Sequence, residues 1–362
     1  MECWAVLQRF FLLCCLVTLA GCGATAAQPT ATSLPATATP APTTLAQATP
    51  AVTANPALRG TIVIDGSSTV FPITEAVARE FALTAPNVQV QLGVSGTGGG
   101  FKKFCAGETV ISDASRPIKQ SEAAECAANQ IDFVEIPVAF DGLSLVANPS
   151  NTWLECMTVA ELNTLWQPDA TNIITNWRML RPIWPTSTLQ LYGAGQDSGT
   201  FDYFTSAIVG TEGSSRSDVI SSEDDYLIAQ DIAGDPNALG YFGYAYYREY
   251  QERLKLIAVD AGNGCVLPSE QTIADGSYQP LSRPIFIYVR ADALDRAEVA
   301  AFVDFYLSDL ARVVADVKYV PLPARAYQFA QERVQQRKLG SLFEGGSQIG
   351  VSIERLLELE GQ

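Results

Sequence analysis

The 362-residue chain contains no histidine. That absence removes Ser-His and Cys-His catalytic pairs and every imidazole metal site. Basic residues are scarce as well: 23 Lys and Arg stand against 39 Asp and Glu, a formal charge of −16. Nucleic-acid binders present a basic face, so no nucleic-acid partner is expected. The sequence has no G-x-x-x-x-G-K-[ST] segment, which argues against a P-loop nucleotide site, and no G-x-S-x-G nucleophile elbow. Neither a cofactor nor a metal is expected. The apolar run from Phe10 to Ala20 is too short to span a membrane comfortably. What is plentiful is hydrophobic residues, 48% of the chain, enough to bury the core of one large or two medium domains.

The run at Phe10 follows a single Arg9 and reads as the core of a signal peptide over residues 1–21. Leu19-Ala20-Gly21-Cys22 resembles the bacterial lipobox, which implies that Cys22 carries lipid and becomes the new N-terminus. Two or more acyl chains anchor firmly, so the expected location is the outer face of the cytoplasmic membrane. Residues 22–58 are dominated by Ala, Thr and Pro. Such a stretch cannot bury a core and reads as a disordered tether. Cys3, Cys14 and Cys15 leave with the signal, so Cys105, Cys126, Cys156 and Cys265 remain. Four cysteines allow three pairings. Cys105–Cys126 closes a short loop and Cys156–Cys265 lies within one middle segment, so these are the expected disulfides. Free buried thiols are the alternative, less suited to an exported chain.

From Arg59 onward β-rich runs alternate with helical patterns. TIVID (61–65) precedes a helix with Ile73, Val77 and Phe81 four residues apart; VQVQLGV (88–94) precedes a glycine-rich turn. Strands are expected at 109–112, 131–139, 143–148, 189–193, 254–260 and 283–291. Helices are expected near 119–129, 158–166, 199–209, 225–236, 296–316, 322–337 and 350–360. Thr158 and Glu161 have capping-box spacing. This alternation predicts an α/β fold. GYFGYAYY (240–247) reads as core, with a cleft-lining face as the alternative.

Three strand-to-helix junctions carry one chemistry. They are Gly66-Ser67-Ser68-Thr69-Val70, Ser95-Gly96-Thr97-Gly98-Gly99-Gly100 and Asp197-Ser198-Gly199-Thr200. Hydroxyls and small residues stand where free backbone N–H groups emerge from a helix start, and such starts attract anions. Each junction alone also satisfies the demands of an ordinary N-cap. The repetition, without a nucleotide or catalytic motif, points to a small oxyanion. ISDASRPI (111–118) adds Arg116 on a further post-strand turn.

IDGSSTVFPITEAVAREF, SGTGGGFKKFCAGET, ISDASRPI, PVAFDGLSLVANP, DSGTFDYF and LSRPIFIYV, in this order over about residues 60–345, resemble the phosphate-binding proteins of bacterial ABC phosphate importers. The resemblance implies a two-lobed periplasmic-binding-protein fold of type II, with a central mixed sheet in each lobe and a ligand cleft between them. It implies a monomeric carrier that holds inorganic phosphate and hands it to the permease subunits of an ABC transporter. On this basis Ser68, Thr69 and Val70 donate from the first turn, Ser95 and Thr97 from the second, and Ser198, Gly199 and Thr200 from the third. Some members place an Arg four residues before the Ser of the third turn. Here that residue is Ala194, so the cationic role passes to Arg116. Asp141 and Asp197 are the candidates to accept the phosphate proton. The extended segments PVAFDG and QPLSRP read as crossings, dividing the chain into 59–139 plus 281–362 and 140–280.

Two other readings compete. A serine hydrolase would use Ser198 with Lys102 or Lys103. A sensing or adhesive surface protein would share the fold without delivering its ligand.

Overall fold

The computed structural model describes residues 55–196 and 198–343. Cys22, Asp197 and the helix expected at 350–360 lie outside the described residues. The first segment alternates strand and helix: β1 (Gly60–Gly66), α1 (Phe71–Thr84), β2 (Val88–Val94), α2 (Gly96–Cys105), β3 (Ile111–Ala114) and α3 (Gln120–Ala128). Ile73, Val77 and Phe81 do form the buried stripe of α1, against Ile62 and Ile64 of β1. Next comes β4 (Phe133–Ala147), every residue of which is buried.

The middle segment holds β5 (Cys156–Thr158), α4 (Val159–Trp166), β6 (Gln190–Ala194), α5 (Gly199–Phe204), β7 (Ile220–Ser222), α6 (Asp225–Gly234), β8 (Ala238–Gly243) and α7 (Tyr244–Tyr250). It ends with β9 (Lys255–Leu256), β10 (Ala258–Asp260), β11 (Cys265–Val266) and α8 (Glu270–Ala274). The chain returns through β12 (Ser282–Arg290) to α9 (Ala297–Ser308), α10 (Leu310–Asp316) and α11 (Ala324–Gln335).

Among the described residues the main sheet runs β2-β1-β3-β12-β4-β8-β6-β7, with β9 also on β4. β4 is the shared member. Its residues 133–142 pair antiparallel with β12, and 143–147 pair antiparallel with β8. The result is two half-sheets of mixed strand direction joined through one long strand. β11, β10 and β5 make a separate small sheet. Cys105–Cys126 links the ends of α2 and α3, and Cys156–Cys265 links β5 to β11. Each bridge therefore stays beside one half-sheet.

Four elements differ from the sequence reading. The strands expected at 131–139 and 143–148 are one, because Asp141 and Gly142 keep their place in the ladder opposite Arg283 and Ser282. LKLIAVD breaks at Ile257: its N–H reaches Leu145 and the next N–H reaches Glu155, so the chain changes sheets there. The helix expected to 209 is α5 followed by a wider turn over Thr205–Val209. Thr205 Oγ1 donates to the Phe201 carbonyl four residues back and accepts from Gly213 N–H, and such back-bonding bends helices. The helix expected over 296–316 is interrupted at Asp309, where φ is −139° and ψ 32°.

Candidate functional site

The first turn is shaped by the strand behind it. A Cβ on Gly66 would lie 2.1 Å from the carbonyl oxygen of Asp113, at φ +147°, so only glycine fits. Ser67 N–H donates to that carbonyl at 2.9 Å, and Thr69 N–H donates to Ser67 Oγ at 3.1 Å. Val70 is the first-cap residue of α1 and is fully buried.

The second turn divides its two hydroxyls. Ser95 is exposed, and its Oγ donates to Asp65, which also holds Lys103 Nζ at 2.6 Å. Thr97 is buried and shares a 2.9 Å hydrogen bond with Ser115 Oγ, while Ser115 N–H donates to Thr97 Oγ1. Gly100 lets α2 close on the first turn, since a Cβ there would sit 2.5 Å from Gly66 Cα.

The third turn comes from the other half-sheet. Ser198 caps α5 by accepting from Thr200 N–H at 3.1 Å. Gly199 N–H points at Ser68 Oγ, 3.4 Å away. A Cβ on Gly199 would come within 3.1 Å of both Thr69 Oγ1 and Ser115 Oγ. The first and third turns, and Ser115 beside the second, therefore converge. Ser68, Thr69, Thr97, Asp141, Ser198, Gly199 and Thr200 are brought together; Ser95 is committed elsewhere.

Arg116 is also committed. Its two terminal nitrogens each lie 2.8 Å from a Glu122 carboxylate oxygen, and its Nε is 3.8 Å from Glu212. The cation that reaches the turns is Arg283, which the sequence reading quoted but did not assign. Its Nη2 lies 3.5 Å from Thr69 Oγ1, 3.2 Å from the Gly199 carbonyl and 3.1 Å from Asp141 Oδ2. Its Nε reaches the same Asp141 oxygen at 3.2 Å, and its guanidinium lies over the Tyr203 ring. Both Arg283 and Asp141 are buried, on facing positions of β12 and β4. Burial pushes the Asp141 carboxyl up, and Arg283 pulls it back towards ionisation. A signal for Arg283 was present: Ser-Arg-Pro occurs twice, at 115–117 and 282–284.

A small cavity of about 60 Å³ lies between the first and third turns, with Asp141 on its wall. Ser68, Thr69, Ser198, Thr200 and Asp141 line it, together with Gly243 and Tyr246 and with Glu223, Asp225 and Tyr319, which sequence reading missed. Tyr246 belongs to GYFGYAYY; Tyr241 and Phe242 of that stretch are core instead. At about 10–15 Å³ per water-sized group, this cavity holds one tetrahedral oxyanion. A larger cavity of about 230 Å³ lies beside Arg283, Thr97 and Ser115, with Arg116, Lys119 and Asp202 on its walls. The hydrolase arrangement is not assembled: Lys103 is paired with Asp65, and Lys102 is exposed. No group of three or more metal-ligating side chains is found among the described residues.

Residues 51–309 match the model of the PBP superfamily domain. Protein SphX of Synechocystis sp. is 46% identical over 315 residues, covering 87% of this chain and 92% of that protein. The phosphate-binding protein PstS of Staphylococcus saprophyticus is 34% identical over 277 residues, 76% of this chain and 84% of the relative. The crystal structure of a possible phosphate binding protein from Planctomyces limnophilus superposes with a TM-score of 0.67 at 47% identity. It covers 77% of this chain and 99% of its own.

Proposed function

The chain belongs to the PBP superfamily, and we propose that it captures inorganic phosphate outside the cytoplasm and delivers it to an ABC importer. It is a binding protein, not an enzyme. One observation carries this reading. A cavity the size of one oxyanion is lined by hydroxyl residues of the turns that follow β1 and β6, on opposite half-sheets, and by Asp141, whose carboxylate is held by the buried Arg283. A buried anion is costly unless its oxygens are hydrogen-bonded, and bonds to charged groups contribute about 1.5–3 kcal/mol each. Ser68, Thr69, Val70, Ser198, Gly199 and Thr200 supply uncharged donors, and Arg283 supplies the charge. Asp141 accepts a hydrogen bond from the P–O–H that phosphate keeps near neutral pH. Sulfate has no such proton, so it would place lone pairs against a carboxylate in a desolvated site.

The half-sheets are the cores of two lobes, 59–139 with 281–362 and 140–280, that close on the ligand. β4 and the entry to β12 are the hinges. Lipidation at Cys22 after removal of residues 1–21, with 22–58 as tether, would hold a monomer beside the permease. Calorimetric titration against phosphate, sulfate and molybdate tests the reading. Stoichiometric phosphate binding with sulfate rejected is expected. Failure to bind phosphate, or equal affinity for sulfate, overturns it.

A further inference from the structure

The small cavity contains a carboxyl group that the phosphate reading leaves without a task. Asp225 is the first residue of α6 and is partly buried. It shares the cavity wall with Ser68, Thr69, Ser198, Thr200, Asp141 and a third carboxylate, Glu223. Asp224 caps the helix, accepting from Tyr226 N–H at 2.9 Å. The carboxyl of Asp225 has no hydrogen-bond partner among the described residues. The Asp141 carboxylate, by contrast, is already held by Arg283 through two nitrogens on one oxygen.

The groups facing Asp225 decide its state. Asp141 on β4 is neutralised by Arg283 on β12. Glu223 and Asp224, just before α6, add negative charge. Tyr246 of α7, Tyr319 after α10 and Tyr241 of β8 all have their phenols pushed up by burial, so they remain protonated and add no charge. Burial and the neighbouring carboxylates push Asp225 itself up to about 7. An oxyanion entering the same 60 Å³ cavity is a further like charge and raises it again.

We propose that Asp225 meets the ligand as a carboxylic acid, donating its O–H to an anion oxygen, and is thereby a further specificity residue whose protonation is coupled to capture. The two carboxyls then have opposite tasks: Asp141 accepts from the ligand's P–O–H, and Asp225 donates to a bare oxygen. The proton comes from solvent and remains on Asp225, and no bond of the ligand breaks. Such a donor favours anions with a charged oxygen to offer, and its bond to that oxygen is charge-assisted.

This inference rests on the phosphate reading, and the test separates the two. Inorganic phosphate is titrated calorimetrically into the wild-type chain and Asp225→Asn at pH 6.0, 7.0 and 8.5. Each pH uses two phosphate-free buffers of different ionisation enthalpy, so that proton uptake is counted. The amide of Asn still donates but does not titrate. Wild type is expected to take up about one proton at pH 8.5, and its affinity to fall about tenfold per pH unit above 7. Asp225→Asn should take up none, and its affinity should change less than about threefold between pH 7.0 and 8.5. Asp225→Ser, which keeps a donor in a smaller side chain, repeats the test should the first variant fold poorly. Equal proton uptake by wild type and the variants, or none by wild type, overturns the proposal. Absence of phosphate binding to wild type at pH 6.0 overturns the phosphate reading itself.

Discussion

Arg116 and Arg283 occupy the same tripeptide, Ser-Arg-Pro, each beside a cleft turn, yet they meet different partners. Arg116 leaves β3 just before a helix whose third residue is Glu122, and that carboxylate takes both ends of its guanidinium. Arg283 stands in a central strand, where the carboxylate it bonds is Asp141 across the ladder. The first pair is made locally, six residues apart. The second joins residues 142 positions apart and exists only because both crossings run side by side. Arg116 is thus matched mainly within its own half-sheet, with Glu212 of the other 3.8 Å from its Nε. A cation held by a crossing strand stays aimed at the turns of both.

The strongest way to break this contrast is to remove each arginine. Arg283→Met should weaken phosphate binding by about a hundredfold or more, since one or two charged hydrogen bonds disappear. It should also destabilise the fold by about 3–5 kcal/mol, because Asp141 is left buried without its partner. The double variant Arg283→Met with Asp141→Asn should recover stability in thermal melts and still fail to bind. Arg116→Met should change affinity less than about threefold, as its charge is already matched by Glu122. A larger loss in Arg116→Met than in Arg283→Met would return the cationic role to Arg116.

Asp141→Asn sharpens the same comparison at the carboxylate. The amide can donate to sulfate, so competition titration should show the preference for phosphate over sulfate falling by about tenfold or more. Glu122→Gln, the matching change beside Arg116, should leave selectivity unchanged. Relaxed selectivity in the second variant but not the first would place the proton acceptor in the larger cavity.

The course of the chain was legible wherever local chemistry decides it. The four-residue spacing of Ile73, Val77 and Phe81 fixed α1, and Thr158 with Glu161 marked the start of α4, where both reciprocal bonds form. The hydroxyl-rich turns were legible because helix starts demand those residue types. Arg283, Asp225 and Tyr319 were not, because strand pairing and contact between the half-sheets place them. Nothing local distinguishes a strand arginine that will face Asp141 from one that will face solvent. Ser95 shows the reverse case. Its sequence setting matches that of Thr97, but Asp65 lies within reach of it and captures its hydroxyl.

A modest, salt-dependent effect lies at the cleft mouth. Glu212, beyond α5 on one side, sits 2.9 Å from Lys119 Nζ and 3.8 Å from Arg116 Nε on the other. Lys119 and Glu212 are each more than a third exposed, so the pair is screened and contributes about 0–1 kcal/mol. It spans the two halves, so it favours the closed arrangement and adds to affinity only through closure. Glu212→Gln should therefore weaken phosphate binding about two- to fivefold at low salt. The difference from wild type should vanish near 0.5 M salt, where the Debye length is shorter than about 5 Å. Arg283 should keep its contribution at that salt, because its pair with Asp141 is buried. Calorimetry on both variants across a salt series measures this directly. A salt-independent loss in Glu212→Gln would mean that Glu212 acts on the ligand site itself, and the separation of a screened mouth from a buried floor would fail.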